Sequence, residues 1–216
     1  VSEGTNLLLS FYNPDVLGDV LIVELADDTN VKQASTKNDD VVRIYNSETN
    51  ETIGFNFFGV AEELNLTENG QLHLDAGQVD ILNSHILEAG FKDTLAEDNA
   101  PKFVIGHVDE MVAHPDSDHL HITQTDVGLD KPVQIVCGAP NIDQGQLVVV
   151  ALPGAVMPTG MEIWPGELRG VDSYGMICSA KELGIPNAPK KRGILVLDEG
   201  KAGDAFDFVA AEKMFE

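Results

Sequence analysis

Cysteine is nearly absent: Cys137 and Cys178 are the two thiols in 216 residues. They form no C-x-x-C pair and no disulfide framework, which fits a reducing, cytoplasmic setting better than a stapled secreted scaffold. No run approaches 18 apolar residues, so no membrane-spanning helix is expected. The start, Val1-Ser2-Glu3-Gly4, lacks the basic-then-apolar order of a secretion signal. Positive charge is scarce as well: 13 Lys and Arg face 36 Asp and Glu, a formal net charge of -23. On its face that argues against nucleic acid, whose phosphates are gripped largely by Lys and Arg. It fits high solubility or a cationic partner. Motifs with catalytic mechanics are missing too. There is no G-x-S-x-G elbow and no G-x-x-x-x-G-K-[ST] phosphate loop. No enzyme activity and no cofactor are expected.

What is present is globular: 43% hydrophobic and 23% charged residues. The two halves differ. Residues 1–99 hold 19 acidic and 4 basic side chains, a net of -15, and residues 100–216 hold 17 and 9, a net of -8. Nine of the ten prolines and 13 of the 20 glycines fall in the second half. Dense Gly and Pro punctuation means tight turns between short strands. The polar, proline-closed stretch 92–101 reads as a linker. The expected domains are therefore 1–91, acidic and α+β, and 102–216, mainly β.

In the first half, residues 7–9 and 19–25 read as strands around the Asn13-Pro14-Asp15 turn. Ile53, Phe55 and Phe57 alternate with polar or small residues, the period of a half-buried strand. Residues 41–45 are its expected hairpin partner. Val79, Leu82, Ile86 and Ala89 recur at helical spacing over 76–89, with Asp75 as N-cap and Gly90 just past the end.

In the second half, strands are expected over 103–112, 119–125, 133–137, 147–151 and 194–197. Val104, Val108 and Val112 fall on one side of the first. In the second, Leu120 and Ile122 point inward and His119, His121, Thr123 and Thr125 outward. Val133, Ile135 and Cys137 share a face, which makes Cys137 a core residue. Five short strands suit a closed barrel of the OB type. Ser179-Ala180-Lys181-Glu182 has capping-box spacing and suggests a short helix.

Several stretches together resemble a known family. They are His114-Pro115-Asp116-Ser117-Asp118-His119-Leu120, Val127-Gly128, and the run from Gln134 through Cys137-Gly138-Ala139-Pro140-Asn141 to Ile142. Pro153-Gly154-Ala155, Met157-Pro158-x-Gly160, Leu168-Arg169-Gly170-Val171-x-Ser173-x-Gly175-Met176-Ile177-Cys178-Ser179 and Glu182-Leu183-Gly184-Ile185 continue the series. In this order they resemble the tRNA-binding domain of the phenylalanyl-tRNA synthetase β subunit and of the methionyl-tRNA synthetase C-terminus. The acidic first half and the Pro186–Gly193 segment narrow the match to the YtpR-type bacterial proteins.

The resemblance implies an OB fold and non-catalytic binding of tRNA, by shape more than by sequence. Carried over by position, the RNA contacts would be His119, Arg169, Ser173 and Met176, with Asn141 and Lys181 beside them. In the family the position of His119 is usually Lys or Arg, so a permanent cation is missing there. The one basic run, Lys190-Lys191-Arg192, adds a backbone contact. Trp164 and Tyr174 are possible stacking platforms. Two rival readings come from the residues themselves. His114, Asp116, Asp118, His119 and His121 could hold a zinc-type ion. Alternatively the acidic first half docks a synthetase or other basic protein, with RNA binding lost. A monomer is favoured over a homodimer.

Overall fold

The computed structural model describes residues 7–216; the Val1–Gly4 start lies outside the described residues. The chain divides into two compact units, Val1–Ala100 and Pro101–Glu216.

The first unit runs β1 (Leu9–Tyr12), α1 (Pro14–Leu17), β2 (Val20–Glu24), β3 (Gln33–Asn38), β4 (Val41–Asn46), β5 (Thr52–Phe58), β6 (Gly70–Leu72) and α2 (Ala76–Glu88). Its six strands make one antiparallel sheet in the order β3-β4-β5-β2-β1-β6. The expected β4–β5 hairpin is present, and Phe55 and Phe57 are fully buried in the core with Val79, Leu82 and Ile86 of α2. Asp75 and Gln78 exchange the two bonds of a capping box at the start of α2. At its end Gly90 N–H reaches Leu87 O and Phe91 N–H reaches Ile86 O, a Schellman closure. Pro14 opens α1 where a missing N–H leaves no gap. Residues 92–99 are not a free spacer. Leu95 is buried, and its backbone exchanges two hydrogen bonds with the Asn83 side chain (2.7 and 3.0 Å). Arg43 also pairs with Asp93 at 3.4 Å.

The second unit holds β7 (Phe103–Ala113), β8 (His121–Asp126), β9 (Val133–Cys137), β10 (Leu147–Ala151), β11 (Gly166–Leu168), β12 (Val171–Ser173), β13 (Met176–Ile177), β14 (Val196–Leu197) and α3 (Phe208–Ala211). The sheet order is β13-β10-β7-β8-β9. The far edge of β9 is met by the end of the β11–β12 hairpin. Tyr174 N–H donates to Gln134 O (2.8 Å) and Val136 N–H to Ser173 Oγ (3.1 Å). That chain then continues into β13, so a five-stranded OB-type barrel is nearly closed. Val104, Val108, Ile135, Val148 and Val150 fill it.

The expected strand phases and bounds need four corrections. A bulge between Val108 and Glu110 shifts the register of β7, so Met111 turns to the core and Val112 is 57% exposed. In β8 the phase is the reverse of the hydrophobic reading. Thr123 and Thr125 are fully buried, their hydroxyls 3.0 Å apart, and Thr123 also donates to Ile135 O. Gly106 makes the room: a Cβ there would lie 2.8 Å from Thr125 Cγ2 and 2.7 Å from Val150 Cγ2. The fifth stave is β13; residues 196–197 instead form β14 against the start of β10. Finally, residues 179–184 form a single turn rather than a helix. Its capping box is intact: Ser179 N–H donates to Glu182 Oε2 (2.7 Å), and Glu182 N–H to Ser179 Oγ (3.1 Å).

Candidate nucleic-acid interface

The loop after β9, the capped turn and residues 189–195 enclose an open groove of about 880 Å³ in the second unit. Asn141 holds its wall together. The side-chain amide donates to Ile194 O (3.0 Å), and its oxygen accepts from Ile194 N–H (2.8 Å). Gly193 sits at φ 153°, where a Cβ would fall 2.6 Å from Asn141 Oδ1, so this close approach needs glycine. The strap fixes the preceding basic run, and Arg192 Nη2 donates to Gly138 O at 3.4 Å.

Lys181, Lys190, Lys191 and Arg192 thus line one groove. Among the described residues they make no ion pair. Among the described residues Glu182 is the one carboxylate in the lining, and it is committed to Ser179 N–H. Met176 is partly buried and lines the groove as well. Six of the nine expected contacts, Asn141 and Met176 among them, therefore converge.

The other three lie elsewhere. Arg169 takes a positive φ in the β11–β12 turn, and its guanidinium donates to Asp116 O (2.9 Å). The Asp118 carboxylate interacts with it electrostatically, so a phosphate there would meet a carboxylate. Buried His114 completes this structural clasp. Its Nδ1 accepts from Asp116 N–H (3.0 Å), and its Nε2 faces Leu168 O (3.1 Å). Both ring nitrogens serve the backbone, which fixes the tautomer with the proton on Nε2. His119 is exposed and bonds Asp118 at 2.9 Å, and that bond holds the Asp118 carboxyl below the usual carboxylate range. Ser173 is buried at the barrel seam, donating to Gly175 O (3.3 Å) while accepting from Val136 N–H. Its role is closure, which explains a serine there without RNA.

No three His, Cys, Asp or Glu side chains among the described residues gather to hold a metal ion. Trp164 donates to Glu162, Tyr174 donates to Asp172, and neither lines the groove. The thiols are buried. Burial pushes Cys137 up and Cys178 up to about 12, so neither is a nucleophile near neutral pH. Sequence reasoning missed Phe215, which packs against the buried cluster that includes Cys178 and also lines the groove. No motif or periodicity marks it.

A family model described as "Putative tRNA binding domain" matches residues 103–205, and one described as "Domain of unknown function" matches residues 28–98. The chain is 49% identical over 200 residues to "Putative tRNA-binding protein YtpR" of Bacillus subtilis, covering 92% of this chain and 99% of that one. It is 45% identical over 139 residues to the phenylalanine–tRNA ligase beta subunit of Staphylococcus saprophyticus. With the corresponding subunit of Campylobacter jejuni it shares 53% over 98 residues. Those matches cover 60% and 45% of this chain but only 17% and 12% of the subunits. Among solved structures, the C-terminal domain of Plasmodium vivax p43 aligns at 23% identity with a TM-score of 0.35, over 47% of this chain and 56% of that one.

Proposed function

Because the chain belongs to the YtpR family, we propose that it binds tRNA, or RNA of similar structure, without catalysing a reaction on it. One observation carries the reading: in a chain of net charge -23, four unpaired cations converge on one groove of the tRNA-binding unit. Isolated like charges held together repel one another, and a polyphosphate relieves that repulsion. We centre the contact on Lys181, Lys190, Lys191 and Arg192, and give Arg169, Ser173 and Asn141 structural parts. Filter binding of total tRNA to the full chain, with and without Lys190→Ala/Lys191→Ala, is the test. Retained affinity in the variant removes the groove as the site, and no binding by the wild type removes the function.

The first unit is assigned a protein partner. Its 19 acidic and 4 basic side chains before residue 100 favour a basic protein, such as a synthetase, over RNA. A cytoplasmic location and a monomeric state go with this reading. No helix among the described residues is long and apolar enough to cross a membrane. Co-sedimentation with purified basic candidates at low and high salt tests the partner, and the absence of any salt-sensitive complex refutes it.

A further inference from the structure

The groove's lining has two chemistries. One part is cationic, from Lys181, Lys190, Lys191 and Arg192. The other is apolar, from Ile177, Leu195 and Phe215 among others. A paired RNA helix presents phosphates and sugars outward and hides the faces of its bases. An apolar wall would gain nothing from it. An unpaired nucleotide offers a phosphate and a bare π-face together, and OB-type proteins exploit both. Size points the same way. About 880 Å³ is the volume of a concave pocket for a compact ligand, within the usual ~300–1,000 Å³ range, not a platform for a duplex cylinder.

Position singles out one aromatic. Among the described residues, Phe215 is the only Phe, Tyr or Trp in the groove lining, and it is backed by the buried cluster that includes Cys178, Ala180 and Leu183. A ring held from behind loses little freedom when a base stacks on it. By contrast, the outer side of β8 and β9 offers the neutral pair Gln124 and Gln134, bonded to each other at 3.1 Å. It provides no cation of its own.

We propose that the groove takes an unpaired stretch of the bound RNA, with a base stacked on Phe215 and its phosphates met by Lys181 and residues 190–192. This rests on the RNA-binding reading above. The test is a competition assay with the full chain bound to fluorescent total tRNA. The competitors are a single-stranded ribonucleotide of about ten residues, within the ~4–16 that an OB fold covers, and a blunt-ended RNA duplex of equal phosphate count. The single strand is expected to displace tRNA and the duplex to fail at the same concentration. Phe215→Leu keeps an apolar side chain against the core but lacks a π-face. It should weaken single-strand binding about 5- to 150-fold, the range for losing one base–aromatic stack. Phe215→Trp should bind as the wild type does. The salt dependence should be unchanged in both, because the cations remain. Duplex competing as well as single strand, or Phe215→Leu binding like the wild type, overturns this proposal while leaving tRNA binding intact. Failure of wild-type protein to bind tRNA at all overturns the reading beneath it.

Discussion

Replacing Lys190 and Lys191 with alanine removes half of the groove's positive charge without touching what holds the groove together. Both are exposed, and the wall is tied by Asn141 and Gly193 instead. Each cation that neutralises a phosphate releases counterions, so log affinity falls with log salt by ~0.7 per contact on a single strand. Four cations give a slope of about -2.8, and the double variant about -1.4. Between ~50 and ~200 mM salt the wild type should lose about 50-fold in tRNA affinity and the variant about 7-fold. Fluorescence anisotropy at four salt concentrations resolves that difference, with circular dichroism confirming that the variant is folded. Arg169→Ala is the internal control. Its guanidinium already bonds Asp116 O beside the Asp118 carboxylate, so its removal should leave the slope unchanged. Equal slopes for wild type and the lysine variant, or a slope shallower by about 0.7 for Arg169→Ala, would refute the placement of the phosphate contact.

Three further outcomes follow from the barrel. Burial raises the Cys178 thiol from 9.0 to about 12. A raised folded-state value stabilises the fold fully below pH 9 and loses that contribution as pH climbs toward 12, at most about 4 kcal/mol. Urea melts should therefore show a steeper alkaline loss for the wild type than for Cys178→Ala, and parallel profiles would count against it. Ser173→Ala leaves the buried Val136 N–H without its acceptor, so stability should fall by ~1–3 kcal/mol with tRNA affinity unchanged. Lost affinity in a folded variant would return Ser173 to the site. Gly106→Ala forces a methyl within 2.7 Å of Val150 Cγ2 and 2.8 Å of Thr125 Cγ2, an overpacking expected to destabilise by ~1–3 kcal/mol in thermal melts. An unshifted melt would mean that β7 and β8 relax freely.

Sequence patterns revealed the elements whose partners are local. Asp75, Gln78 and Gly90 mark the ends of α2 because capping bonds span only a few residues. The Ile53–Phe57 alternation marks β5 because one face of that strand is buried. Readings failed where a distant residue decides. Nothing near Thr123 and Thr125 announces that Gly106, on another strand, leaves room for them inside, or that Ile135 O will accept from a buried hydroxyl. The same holds for β7, where one bulged residue moves Val112 from the core to the surface. β3 escaped notice because its six residues are mostly polar and exposed on a sheet edge. For the interface, the basic run and Lys181 were legible from composition and resemblance. Their convergence was not, since Asn141 and Gly193 draw together segments about fifty residues apart.

That convergence changes what the net charge of -23 means. Screening at ~0.15 M salt has a decay length of about 8 Å, so a phosphate in the groove feels the nearest charges far more than distant ones. Four cations and one capped carboxylate make that lining attractive. Elsewhere 35 acidic side chains share the chain with nine other basic ones, and most of that surface repels RNA. The acidity therefore does not oppose RNA binding so much as restrict it. A basic protein of this size would hold polyanions over many surfaces, and its phosphate contacts would carry little information about shape. On the proposed reading, an RNA must bring its phosphates to one concave site while keeping the rest of its backbone clear of carboxylates. Positioning by a few local cations, with repulsion from the acidic surface, would give modest affinity together with selection for RNAs that can offer an accessible segment.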